Sequence, residues 1–191
     1  MRRPNHLGLH PDELLVALSI GGATKAFEEL IRRHNGPLRR FIARLVRHHG
    51  DAEELAQETF IRAWQNLAKW KSQGSFRSWL FSIGHNCFQD ELRKSKSRKA
   101  REKSWFDLQE VTSNDASKIE MRQELEQILR HFPPGQSAVL ELFYGDGFSH
   151  IEIADIMNLP LGSVKSQISR ARVQIYGLMN GKQVERSQSH E

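Results

Sequence analysis

The sequence predicts an all-α fold: two small helical domains joined by a flexible basic linker. Three observations carry this. Apolar residues recur at spacings of three and four along most of the chain, as helices with one buried face require. No alternating run of β-branched residues is long enough to argue for a sheet. Between Arg93 and Lys118 the periodicity stops and the composition turns basic, then polar. The 191 residues fit one ordinary domain or two small ones at ~100–200 residues per domain.

The first helical stripe is Phe27, Leu30, Ile31, Leu38, Phe41, Ile42 and Leu45. Gly36-Pro37 is expected to kink or interrupt it, because proline lacks an N–H and clashes with the preceding turn. A second helix is predicted from about Asp51 to Trp70, with Leu55, Thr59, Ala63 and Leu67 on one face. A third follows Ser75 and buries Phe76, Trp79, Leu80, Ile83 and Cys87. Phe76, Trp79 and Phe81 read as core, since aromatic residues at helical spacing are more often core than base-stacking.

Residues Arg93 to Lys103 (RKSKSRKAREK) hold seven basic residues, one acid and no large apolar side chain. With so little apolar surface, ordering such a stretch is not offset by burial. Periodicity resumes at Ile119 and runs through Leu125, Ile128, Leu129 and Phe132, until Pro133-Pro134-Gly135 ends it. Three short helices are then predicted at about 135–144, 149–157 and 163–179, with a frayed polar tail from Gly181. The expected division is domains at 10–95 and 119–180 with a linker at 96–118.

Composition excludes several classes. Four Trp and ten Phe argue against disorder throughout. The single cysteine, Cys87, excludes an internal disulfide or a thiolate cluster within one chain, which fits a reducing, cytoplasmic setting. The longest apolar run, Leu14 to Thr24, is about half the ~20 residues of a membrane span. Arg2 and Arg3 precede it, but Asp12 and Glu13 at its start speak against a signal peptide. No phosphate loop, dinucleotide fingerprint, zinc-protease or nucleophile-elbow motif is present. Of the nine histidines, His6 and His10 are four apart but sit in a segment with a proline and no third ligand, and acids and histidines do not converge. Neither a metal nor a cofactor is expected, and the chain does not read as an enzyme.

The C-terminal third carries the clearest motif. Ser149-His-Ile-Glu152 is a capping box, in which Ser caps the third N–H and Glu reaches back to the cap N–H. After the helix it starts, Asn158-Leu-Pro-Leu-Gly162 must break the chain direction, and Ser163 is placed to cap the next helix. There Val164, Ile168, Ala171 and Ile175 make a buried stripe. Lys165, Ser166, Gln167, Ser169, Arg170 and Arg172 are left outward. Helix, short turn, then a helix with an outward Lys/Arg/Gln/Ser face is the helix-turn-helix plan for the major groove. Arg reads guanine edges, Gln reads adenine, and Ser holds phosphate. A helical hairpin with a solvated basic face has the same spacing.

A resemblance separates the two readings. Pro133–Arg172, with "EIA", "P-x-GSVKS" and "SRAR" in that order, resembles region 4 of the extracytoplasmic-function (group 4) sigma factors of bacterial RNA polymerase. DAEELAQETFIRAW, from Asp51 to Trp64, resembles region 2.2 of the same family. FRSWLFSIGHNCFQDELRK, from Phe76 to Lys94, with the preceding loop, resembles regions 2.3 and 2.4. The two modules in this order are more specific than either alone, because other helix-turn-helix regulators share part of the second. No stretch resembles regions 1.1 or 3, which points to the two-domain class.

The resemblance implies a non-enzymatic specificity subunit of RNA polymerase. Asp51, Glu54, Gln57, Glu58 and Phe60 would contact the clamp helices of the core β′ subunit. On residues alone, those acids near a helix start also complement the helix dipole or form a solvated face. Lys71, Ser72, Gln73, Gly74, Ser75 and Phe76 would help hold a base extruded from the melted −10 element. Asn86, Asp90, Arg93 and Lys94 would lie along that strand. Ser163, Lys165, Ser166, Gln167, Ser169, Arg170 and Arg172 would read the −35 duplex. The implied partners are core polymerase through its β′ clamp helices and β flap, promoter DNA, and an anti-sigma factor, with membrane-anchored ones in the class. No direct membrane insertion is implied. Gly84-His85-Asn86 stands where the family usually has Ala-Arg-Asn, and Gln167 where it often has Arg. A stand-alone helix-turn-helix regulator is the first rival reading, and a nucleic-acid enzyme the second.

Overall fold

The computed structural model describes residues 6–46, 49–70, 74–99 and 116–188. Among them there are eight α-helices and no strand, in agreement with the all-α expectation. The chain divides into two compact units, Met1–Glu110 and Val111–Glu191.

In the first unit a 3-10 turn, His6–Leu9, leads into α1 (Asp12–Ile20), followed by α2 (Thr24–Leu45), α3 (His49–Asn66), a 3-10 turn at Leu67–Lys69, and α4 (Phe76–Lys99). Helix α2 is the centre of the unit, packing against α1, α3 and α4, and α3 packs against α4. Leu15, Leu30, Leu38, Phe41, Ile42, Phe76, Leu80 and Phe81 are fully buried, each worth roughly 1.5–3 kcal/mol of apolar transfer. The run Leu14 to Thr24 is thus a short helix that buries Leu15, Val16 and Ser19, followed by a turn.

Helix α2 is continuous across Pro37, contrary to the expected interruption. A proline in a helix interior costs about 3 kcal/mol. Here Leu30 and His34 are buried before it and Leu38, Phe41 and Ile42 after it, so both halves are fixed in one helical phase. At Gly84 the α4 backbone lies against α2 and α3. A Cβ there would meet Leu38 Cδ1 at 3.0 Å and Thr59 Oγ1 at 3.5 Å. In α4, Cys87 is buried as expected, whereas Trp79 and Ile83 are only half-buried.

Beneath α2, Arg33 donates to Asp12 at 2.8 Å and to Glu29 at 3.0 Å, and also to the carbonyls of Leu7 and Gly8. His34 Nε2 lies 2.6 Å from Asp12 Oδ2. This network ties the N-terminal segment to the bundle. The hydrogen bond from Arg32, helped by Arg33, holds the buried Glu29 carboxyl at about 2.

The second unit holds α5 (Ala116–Leu129), α6 (Pro134–Leu140), a π-helical turn Glu141–Gly145, α7 (His150–Met157) and α8 (Leu161–Gln188). Its core is Leu129, Val139, Leu140, Leu142, Ile153, Ile156, Val164, Ile168 and Ala171. Three boundaries differ from expectation. Helix α4 runs to Lys99 and α5 begins at Ala116, both inside the predicted linker, and α8 runs to Gln188 rather than fraying from Gly181. The α4 extension (KSRK) is rich in Lys and Arg, and the α8 extension (GKQVERSQ) in Lys, Arg, Gln and Glu, residues of good intrinsic helix propensity. The predicted linker at 96–118 falls mostly on residues outside those described.

Candidate partner and nucleic-acid interfaces

Helix α3 presents an acidic face. Ala52, Leu55, Ala56, Thr59 and Ala63 turn inward, and Asp51, Glu53, Glu54 and Gln57 are exposed opposite them. Glu58 is half-buried. Phe60 does not join this face. It is only 7% exposed and belongs to the core, because its phase follows Ala56 and Thr59. The same phase brings out Ile61 and Trp64 one and two turns beyond Gln57, exposed by 52% and 44%. Sequence reasoning passed over both, although their i, i+4 and i+7 spacing from Gln57 was available.

Helix α4 starts at a cap. The Ser75 hydroxyl accepts from the Ser78 N–H at 3.1 Å, so Ser75 ends the preceding loop. Gly74 is exposed with φ +85°, a left-handed conformation that favours glycine. Lys71, Ser72 and Gln73 lie outside the described residues. Phe76 is fully buried, with ring neighbours Trp70, Trp79 and His34. It cannot stack on a base from there, and instead it packs inside the bundle at the start of α4.

Along α4, Asn86, Arg93 and Lys94 are exposed. Asp90 is not free to read a base. One of its oxygens accepts from Arg62 Nη1 at 2.7 Å and the other from Arg93 at 3.3 Å. The Arg62 hydrogen bond holds the Asp90 carboxyl below the usual carboxylate range. Arg62 Nε also donates to Glu58 at 2.7 Å. Asp90 first, then Glu58, raises the guanidinium pKa further above its ordinary value. Glu58, Arg62, Asp90 and Arg93 therefore form one ionic chain from α3 to α4. Of these, sequence reasoning missed Arg62: its i+4 spacing from Glu58 was visible, but its partner on another helix was not.

Gly84 and His85 both face inward, so the departures from the usual pattern at these positions lie under the exposed face. Burial pushes the His85 imidazole pKa down, favouring the neutral form. Cys87 is likewise buried, and burial pushes its thiol pKa up and away from reactivity.

In the second unit both bonds of the capping box are present: Ser149 Oγ accepts from Glu152 N at 3.3 Å, and Glu152 Oε2 from Ser149 N at 2.9 Å. Helix α7 closes at Asn158, which sits at φ 50°. The Leu159 N–H bonds to Ala154 O and the Asn158 N–H to Asp155 O, the pairing of a Schellman motif. The turn is then short, because α8 starts at Leu161 with the Pro160 carbonyl accepting from the N–H groups of Ser163 and Val164. Ser163 therefore lies in the first turn of α8 and does not cap it. Proline serves as the boundary residue because its fixed φ suits the turn and the missing N–H is not needed there.

Val164, Ile168 and Ala171 lock α8 onto α6 and α7. Lys165, Ser169, Arg170 and Arg172 are exposed, while Ser163, Ser166 and Gln167 are half-buried at the edge of the same face. Arg170 Nη2 donates to Ser166 Oγ at 3.3 Å, and Ser166 donates to Ser163 O. The three exposed cations Lys165, Arg170 and Arg172 spread around the outward side of α8 can neutralise phosphates, and the guanidinium forks can address base edges. Among the described residues no group of His, Cys, Asp or Glu could hold a metal ion, and no helix is long and apolar enough to cross a membrane.

An acidic helix beside an Asn/Arg-bearing helix, followed by a helix-turn-helix, is an arrangement suited to DNA binding, and similarity to known proteins makes it that of a transcription initiation factor rather than an enzyme. Residues 30–98 match the family model of Sigma-70 region 2, and residues 122–175 that of Sigma-70, region 4. The chain is 30% identical over 173 residues to the ECF RNA polymerase sigma-E factor of Salmonella typhimurium, covering 84% of this chain and 90% of that protein. It is 31% identical over 159 residues to the ECF RNA polymerase sigma factor SigE of Mycolicibacterium smegmatis, spanning 80% of this chain but 61% of that longer relative. Among solved structures it resembles the sigma factor RpoE of Bartonella quintana in complex with the anti-sigma factor NepR. There the TM-score is 0.68 with 26% identity, over 82% of this chain and 98% of that one. The chain belongs to the extracytoplasmic-function sigma factor family of bacterial RNA polymerase.

Proposed function

We propose that the exposed acidic face of α3 docks on the β′ clamp helices of core polymerase, through Asp51, Glu54, Gln57 and Glu58. The observation that carries this is the separation of charge within the first unit, with acids exposed on α3 and Asn86, Arg93 and Lys94 exposed on α4. An acidic helix repels DNA and attracts a basic protein surface. The neighbouring helix holds a base-edge reader and two phosphate neutralisers. On this reading the segment from Lys71 to Ser75 and the α4 face engage the melted −10 strand, with Phe76 as core support at the start of α4. The α8 face, with Lys165, Gln167, Ser169, Arg170 and Arg172, engages the −35 duplex. Residues 10–95 and 119–180 carry these two roles, and the linker between them is the part of 96–118 left between the end of α4 at Lys99 and the start of α5 at Ala116.

An anti-sigma factor is the natural regulator, because the Bartonella relative is bound to one. A cytoplasmic site of action follows from the polymerase it would serve. The test is run-off transcription with purified core polymerase on a promoter library. Specific starts that depend on this protein are expected, and a protein that neither binds core nor directs starts refutes the reading. A stand-alone regulator would instead bind duplex DNA tightly without polymerase.

A further inference from the structure

The ionic chain across α3 and α4 has no place in a description that separates docking residues from DNA-reading residues. Arg62 donates one N–H to Glu58 on the docking helix and another to Asp90 on the −10 helix, both at 2.7 Å. Asp90 in turn holds Arg93 at 3.3 Å. A carboxylate on a face that meets a phosphate strand is unfavourable unless a cation neutralises it. The arginine that does so is only about one-third exposed, and it is anchored on the neighbouring helix.

We propose that Arg62 is a positioning residue for −10 strand binding: it neutralises Asp90 and, through it, aims Arg93 at the strand. Asp90 is then a brace rather than a base reader. Arginine suits this role because its Nε and Nη1 donors, spread over a rigid fork, reach the two carboxylates from separate nitrogens, whereas lysine's three donors share one nitrogen. The inference rests on the proposed −10 role of the α4 face.

The experiment uses holoenzyme assembled from core polymerase and the full chain, binding a single-stranded −10 oligonucleotide, with core affinity and thermal unfolding measured alongside. Arg62→Gln is expected to weaken oligonucleotide binding about fivefold, the effect of one uncompensated surface charge. Core affinity should stay within about twofold. Adding Asp90→Asn should restore most of the loss, because the charge that needed neutralising is gone. A loss that the double variant does not recover, or one matched by an equal loss of core affinity, overturns the proposal in favour of a merely structural role. Arg93→Ala separates the two levels. If it leaves oligonucleotide binding unchanged, the −10 reading of the face itself fails. If it weakens binding while Arg62→Gln does not, only the positioning role of Arg62 fails.

Discussion

The docking assignment can be tested by reversing charge on α3. Glu54 is exposed and Glu58 is half-buried against Arg62, so the two positions carry different internal costs. An exposed ion pair is worth about 0.2–1 kcal/mol, and reversal replaces that attraction with a repulsion of similar size. Glu54→Lys with Glu58→Lys should therefore cost about 1–4 kcal/mol of core binding, fivefold to several hundredfold in Kd. Within the chain, Glu58→Lys also breaks the pair with Arg62, worth about 0.3–0.5 kcal/mol as an i,i+4 pair, and sets two cations side by side. Glu54→Lys alone leaves that pair intact and is the cleaner perturbation. Core affinity measured by fluorescence anisotropy at two salt concentrations should fall for both variants, with the difference from the parent shrinking as salt rises. Thermal unfolding should shift by only a few degrees. Unchanged core affinity in the double variant refutes the docking face. So does a loss seen only with Glu58→Lys and in step with lowered stability, which would mark local unfolding instead.

Three further outcomes follow from named contacts. Arg170→Ala should cost about 1–3 kcal/mol at a single −35 base pair if its guanidinium reads a base, and a uniform loss across duplex sequences would make it a phosphate contact. Phe76→Ala removes a fully buried ring that touches Trp70 and Trp79, and should cost about 3–5 kcal/mol in denaturant unfolding; a loss below about 1 kcal/mol would mean the ring is not a core element. The Glu29 carboxyl, ordinarily at 4.5, sits at about 2 when folded, chiefly through its Arg32 hydrogen bond. The unfolded chain therefore takes up the proton first, so this stability is present above pH 4.5 and lost as pH falls toward 2. Glu29→Gln should flatten that limb of the acid-unfolding curve, and an unaltered limb would remove the assignment.

Much of this was legible in the chain because it is local. The helical stripes, the capping box at Ser149 and the outward set on α8 depend only on spacing. Phase was legible too: helical spacing reads Phe76 as core, and the ring is fully buried. At Phe60 the family-like string pointed outward instead, although Ala56 and Ala63, one turn to either side, share its buried face. What spacing could not supply was tertiary. Helix α1 is too short for periodicity to announce it, and it is held by Arg33 and His34 on the next helix. Helix α2 continues through Pro37 because three neighbouring helices fix its two halves. The pairing of Arg62 with Asp90 depends on how α3 and α4 cross, which no local pattern states.

That crossing explains why opposed charges can share one small unit. The formal net charge of +5 is the remainder of 28 basic and 23 acidic side chains, so neither partner surface can be read from the average. At Gly84 the α4 backbone comes close enough to Leu38 and Thr59 that an added methyl would have to displace a neighbour. A backbone held that closely fixes the offset between the acidic face of α3 and the polar face of α4. The faces then cannot adjust independently, and an acid projecting from one can spoil the field of the other unless it is neutralised in place. Arg62 stands at that junction, bonded to an acid of each helix. The basic face of α8 belongs to a separate unit with its own core and needs no such mediator. On the proposed reading the first unit would join two functions of opposite electrostatic sign, and Arg62, bonded to Glu58 on one helix and Asp90 on the other, is the contact through which one packing arrangement would accommodate both.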